Sequence, residues 1–117
     1  GYNVGAQLTL SLPDMKEFVN GRGDIGNYLY ELYTNNPLHK QRGVIDQTWR
    51  TWVIWDVINI AWMIEPAWVP SHIVSSPILD DELFWKRENE SYPMREAYGV
   101  NRDAIFHDFF VKIDKLK

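Results

Sequence analysis

Trp52-Val53-Ile54-Trp55-Asp56-Val57-Ile58-Asn59-Ile60-Ala61-Trp62-Met63-Ile64 is the most apolar run in the chain, and it carries a carboxylate inside it. The run is far shorter than the roughly 20 residues a membrane-spanning helix needs, so it predicts a buried core helix over residues 52–64. Asp56 indicates what that helix is for, because a buried charge needs pairing, hydrogen bonds or a metal. Two readings stand. Asp is among the preferred capping residues, so Asp56 caps a helix that begins at Val57. Alternatively, it is a hard-metal ligand whose neighbouring oxygen ligands come from elsewhere. Trp49, Trp52, Trp55 and Trp62 cluster here. Clustered indoles usually form core, yet Trp55 beside Asp56 offers a flat face to an aromatic ligand, with Trp49 and Trp52 near the same helix mouth. Three rings around one carboxylate suit a ring-bearing substrate, or equally a sugar.

Working back from this run, residues 6–12 alternate, with Leu8, Leu10 and Leu12 on one side and Gln7, Thr9 and Ser11 on the other. That is the period of a half-buried strand. Ser11, Pro13 and Asp14 then supply a capping hydroxyl, an early proline and a first-turn acid, followed by Met15, Phe18 and Val19 at helical spacing. Gly21-Arg22-Gly23 makes a turn and lacks the context of a phosphate-binding loop. Asp24 caps a second helix with an apolar face of Ile25, Tyr28, Leu29, Leu32 and Tyr33, ended by Asn35-Asn36-Pro37. Residues 36–50 read as a loop feeding the apolar helix.

Working forward, Pro66, Pro70 and Pro77 break the chain into extended pieces at Ile73-Val74, Ile78-Leu79 and residues 83–87, and residues 94–100 alternate like a further strand. The acidic pair Asp80-Asp81 reads as a turn. Asn101 caps a last helix with Ile105, Phe109 and Ile113 as its buried stripe. Strands alternating with helices predict an α/β layer structure.

Composition narrows the partners. Sixteen acidic against 12 basic residues leave a net charge of -4, with no basic stripe to neutralise phosphates, which argues against nucleic acid. No segment reads as a membrane span, and the absence of cysteine excludes disulfides and thiolate metal sites and favours a cytoplasmic setting. His39, His72 and His107 show neither metal-ligand spacing nor a nucleophile–base pattern. The Gly1-Tyr2-Asn3-Val4 start, without an initiator methionine, is that expected of a processed or excised piece.

The segment from Ile54 through Trp55-Asp56 and the Ala61-bearing apolar run to Pro66 resembles the C-terminal active-site helix of the inosine/uridine-type nucleoside hydrolases. In that family an aromatic residue or histidine precedes the aspartate. The strand at residues 6–12, the helical pair up to Asn35, the extended segments after Pro70 and Val100-Asn101-Arg102-Asp103-Ala104-Ile105-Phe106 are similar to that family's last third. The resemblance implies that residues 1–117 are the C-terminal portion of a nucleoside-hydrolase-like α/β fold with a mostly parallel sheet flanked by helices, its N-terminal catalytic half absent.

The implied activity is Ca2+-dependent hydrolysis of the N-glycosidic bond of a ribonucleoside, through an oxocarbenium-like transition state. Asp56 matches one calcium ligand; Trp55, Trp52 and Asn59 are the implied substrate contacts; no catalytic residue lies in this chain. Trp55 stands where many members carry histidine. This removes one acid for the leaving base and leans the reading to purines, which stack on an indole face. The isolated chain is then expected to be inactive, to bind calcium weakly and to belong to a homo-oligomer. The alternatives are a non-catalytic aromatic-lined binding module and an interaction domain.

Overall fold

Two three-residue strands far apart in sequence form the centre of the molecule. In the computed structural model, which describes residues 2–41, 50–87 and 91–116, β1 (Thr9–Ser11) pairs antiparallel with β2 (Thr51–Val53), Leu10 lying opposite Trp52. The pairing extends past both ends, since the Ile54 amide donates to the Leu8 carbonyl and the Leu12 amide to the Arg50 carbonyl, each at 2.8 Å. Leu8 and Leu10 turn into the core, as the alternation of residues 6–12 requires.

A helical turn, α1 (Tyr2–Gly5), precedes β1. After β1, the Ser11 hydroxyl accepts the Asp14 amide at 3.1 Å and donates to the Asp14 carboxylate at 2.7 Å. This cap starts α2 (Leu12–Asp14), which widens into a π-helical turn at Met15–Val19 with Met15 and Val19 buried. Gly21, at φ +77°, makes the left-handed reversal that L side chains resist. The chain returns as α3 (Gly23–Asn35), and Gly26 lets it pack closely: a Cβ there would lie 2.4 Å from the Val19 carbonyl oxygen. A short α4 (Pro37–Gln41) follows.

Beyond β2 the chain forms α5 (Val57–Ile64) and a 3-10 turn at Pro66–Trp68, capped by Glu65, whose Oε1 accepts the Ala67 amide at 3.0 Å. Then come β3 (Ser71–Ser75), β4 (Pro77–Leu79), β5 (Trp85–Arg87) and β6 (Pro93–Ala97). β3 pairs antiparallel with β6 and β4 with β5, so one hairpin is nested in another. The last helix, α6 (Arg102–Asp114), is capped by Asn101, whose Oδ1 accepts the Ala104 amide at 3.1 Å. It is tied to β1 by Arg102, whose Nε and Nη2 donate to the Thr9 carbonyl at 3.0 and 2.6 Å while the guanidinium lies 4.9 Å over the Phe106 ring. Ile105, Phe106 and Ile113 face the core.

Two expectations are corrected here. The mostly parallel sheet flanked by helices is not what forms: the described strands make three separate antiparallel pairs, each of two strands. A parallel pair needs a crossover connection of a dozen or more residues, whereas β4 and β5 are joined by a tight turn that permits only antiparallel pairing. The single helix over residues 52–64 is also replaced. Trp52 and Val53 are taken by the pairing with β1, and the helix starts only at Val57. Of that helix only Ile58 and Ala61 are buried, while Ile60, Met63 and Ile64 face outward.

The turn between β4 and β5 is organised by Asp80. Its carboxylate accepts the Glu82 and Phe84 amides at 3.0 and 2.8 Å and pairs with Lys86 Nζ at 2.8 Å. Leu83 sits in the left-handed region at φ +65° between them. Lys86 first, then the Phe84 amide, hold the Asp80 carboxyl below the ordinary aspartate range. A depressed folded value means that the support is present above the unfolded aspartate pKa and is lost as pH falls through the folded one. Acidification below the ordinary aspartate range is therefore expected to lower the protection of the Glu82 and Phe84 amides, relative to their intrinsic exchange rates at the same pH, ahead of the α6 amides; an equal loss of protection at both places would contradict this.

The radius of gyration is 17.5 Å, against about 13 Å for a compact domain of this length. Apolar faces consequently stay open, including Ile25, Tyr28 and Leu32 along α3, which the sequence reading placed on a buried face. Among the described residues no helix is long and apolar enough to cross a membrane.

Candidate functional site

Where β2 ends, the chain turns through Ile54, Trp55 and Asp56 before α5 begins, and this turn forms one wall of a cavity of about 420 Å3. The opposite walls come from α3, through Leu29, Leu32 and Tyr33, and from α6, through Phe106 and Phe109. The volume and the mostly apolar lining are those of a small-molecule site. Trp52, Trp55 and Asp56 all line it. Trp52 is half-buried by its pairing with Leu10, and Trp55 keeps 40% of its surface exposed.

Asp56 stands at the position that precedes α5, but it does not cap it. A capping residue takes an extended backbone and its side chain accepts an amide one turn on. Asp56 instead has helical angles, φ -83° and ψ -12°, and its carboxylate makes no capping hydrogen bond. Its main-chain carbonyl, not its side chain, receives the Asn59 amide at 3.2 Å. Of the two sequence readings, the side-chain cap is the one this geometry does not fulfil. The carboxylate is exposed at the cavity wall.

Tyr33 fixes the floor. It is buried, and its hydroxyl donates to the Leu10 carbonyl at 2.8 Å, joining α3 to β1. Arg50 lies 5.5 Å over the same ring and donates Nη2 to the Thr34 carbonyl at 3.2 Å, near the end of α3. Burial raises the Tyr33 phenol above its ordinary value, and the Arg50 charge opposes this only in part. With the folded value raised, stability is intact below the unfolded tyrosine pKa and falls as pH rises through the folded one. Tyr33→Phe, which leaves the Leu10 carbonyl without this donor, is expected to lower stability by about 1–2 kcal/mol. It should also flatten the alkaline limb of the unfolding curve; an unchanged urea midpoint would contradict the role.

Asn59 lies on the exposed face of α5 and does not line the cavity. Trp49 lies outside the described residues. Tyr33 was visible only as part of an apolar helix face, and Asn36, a further lining residue, only as a helix stop. Nothing local in the sequence indicates that α6 closes the far side with Phe106 and Phe109.

Two further groups of chemistry-bearing side chains lie away from this cavity. His72 meets Glu96 across β3 and β6 at 3.1 Å on an exposed surface. A second cavity, of about 600 Å3, lies between the π-helical turn and α6. Its Arg22 is paired with Asp114 at 3.1 Å and its Arg102 is held by Thr9 and Asp103, so its charges face each other.

Calcium takes six to eight oxygen ligands. Among the described residues no three His, Asp or Glu side chains converge, and Asp56 is a single carboxylate. These residues therefore do not by themselves make a calcium site. No family model, curated protein or solved structure matches the chain.

Proposed function

We propose that this chain forms the base-side wall of a ribonucleoside-binding cleft in a Ca2+-dependent N-ribosyl hydrolase, with a leaning to purine nucleosides. The observation that carries the reading is the convergence of Trp52, Trp55 and Asp56 on one apolar cavity, with the carboxylate not engaged in capping. Indole faces stack on a planar base. A carboxylate at the edge of the same cavity accepts hydrogen bonds from a sugar diol, or supplies one ligand to a hard cation.

In this reading Asp56 is one calcium ligand, the other oxygen ligands come from further chain, and no catalytic base is assigned within these residues. Calcium, when bound, supplies an activated water and orients the sugar hydroxyls. The chain's own contribution is to hold the base against the indoles and to keep bulk water from that face. The open faces on α3 and α5 agree with packing against further chain.

Titrating the chain with inosine is expected to quench its tryptophan emission, and Trp55→Ala to reduce the quench; free ribose at the same concentration should leave the emission unchanged. Quenching by simple sugars and not by inosine would support instead a carbohydrate-binding module, the second reading that an aromatic-lined cavity admits. No quench by either ligand would leave the nucleoside reading without its binding site.

A further inference from the structure

We propose that the tip of the β4–β5 hairpin docks into the cavity between the π-helical turn and α6 of a second copy of this chain; the inference does not rest on the nucleoside reading. One copy alone does not account for the conformation of the tip. Leu83 sits at φ +65°, where glycine is at ease and a bulky side chain is not. Its side chain is 75% exposed and that of the neighbouring Phe84 66%, so neither gains burial within the chain. The turn holds both in place: the Leu83 amide donates to the Asp80 carbonyl and the Asp80 amide to the Phe84 carbonyl, each at 3.0 Å. Backbone strain of this kind collects where a contact surface uses it.

The tip is acidic as well as apolar. Lys86 is taken by Asp80, while Asp81 and Glu82 are exposed and form no ion pair among the described residues. The cavity has the opposite character. Phe18, Phe110 and Val111 give it an apolar wall, with Phe18 stacked on Phe110 at 4.7 Å between ring centroids. Arg22 is paired with Asp114 and Arg102 with Asp103, which leaves Lys115 and His107 in the lining without an ion pair among the described residues. Its volume of about 600 Å3 is that of a cleft holding a drug-sized ligand, which gives room for the Leu83 and Phe84 side chains. Two apolar side chains flanked by carboxylates thus match an apolar wall flanked by a cation, the complementarity that fixes partner and register. Because the two surfaces differ, the contact is heterologous: each copy offers one tip and one cavity, and association continues until a ring closes.

Sedimentation velocity of the full chain over a range of concentrations tests this. The unmodified chain is expected to associate, and to do so more weakly as salt is raised. Leu83→Gly suits the positive φ and removes the apolar tip. Val111→Glu suits a helix and sets a carboxylate on the cavity wall one turn from Lys115. Each substitution alone is expected to weaken association at least about tenfold, with an unchanged circular dichroism spectrum. Mixed in equal amounts, the two variants should form a 1:1 complex that grows no further, because one keeps its tip and the other its cavity. An unmodified chain that stays monomeric, association that survives either substitution, or a mixture that stays monomeric overturns the proposal. A monomeric chain that instead binds phosphatidylcholine vesicles, and loses that binding in Leu83→Gly, overturns it too, since the tip would then serve a lipid surface.

Discussion

In the proposed Ca2+-dependent hydrolase, exchanging Asp56 for Ala is expected to lower kcat/KM for inosine at least about 100-fold while leaving folding almost untouched. The two parts of the expectation follow from the same geometry. Asp56 is exposed and its carboxylate makes no capping hydrogen bond, so its removal leaves no buried partner unsatisfied and should shift stability by no more than about 0.5 kcal/mol. Residues that merely orient metal ligands are worth roughly 10–100-fold, so a direct ligand, the role proposed for Asp56, should exceed that range. A 100-fold loss corresponds to about 2.7 kcal/mol of transition-state stabilisation. Apparent calcium affinity should fall along with turnover. Retention of both by the Asp56→Ala enzyme would remove Asp56 from the site.

Leu8→Ala is expected to give the largest loss of stability, about 2–5 kcal/mol. Leu8 is fully buried at 0% exposure, and its carbonyl receives the Ile54 amide, so it lies where β1 meets the segment leading to the Trp55-Asp56 turn. Among the described residues twelve hydrophobic side chains are buried, Leu8, Val19 and Val69 most completely, with partly covered aliphatic and aromatic side chains packed around them. A domain of this length has a total stability of roughly 6–17 kcal/mol. A cavity at Leu8 therefore removes a large fraction of it, and the cavity wall should loosen with the core. Urea denaturation should show a clearly lower midpoint with an unchanged slope. A midpoint within error of the parent would mean that β1 does not anchor the fold.

What could be read from the sequence was what depends on near neighbours. Ser11 and Asn101 cap the helices they were expected to cap, because each bond spans three residues and needs nothing further from the chain. The period-two alternation placed Leu8 and Leu10 inside, and Asp80-Asp81 formed a turn. Pairing between distant segments could not be read this way. Trp52 and Val53 continue an apolar run that suits a helix, and only the arrival of Leu10 opposite Trp52 makes them a strand. The expected parallel sheet failed for a related reason: alternation along a strand shows which face is buried, not which strand lies beside it or in which direction.

The lining of the candidate cavity was legible to a similar degree. Trp52, Trp55 and Asp56 could be singled out because a carboxylate between indoles in an apolar run is chemically conspicuous, and the fold brings all three to one cavity. Asn59, three residues further on, turns to the exposed side of α5 once the helix starts at Val57 rather than at Trp52. Tyr33 reaches the cavity from α3, Asn36 from just beyond its end, and Phe109 from α6. Those contributions depend on helix packing, which no local pattern encodes.

The most direct measurement is the response of individual indole N–H signals, in a tryptophan-labelled sample, as inosine is added. If the cavity beside Asp56 is the nucleoside site, the Trp52 and Trp55 signals shift together and saturably, while that of Trp85, exposed on the β4–β5 hairpin, stays in place. Stationary Trp52 and Trp55 signals at saturating inosine, or a shift confined to Trp85, would contradict it.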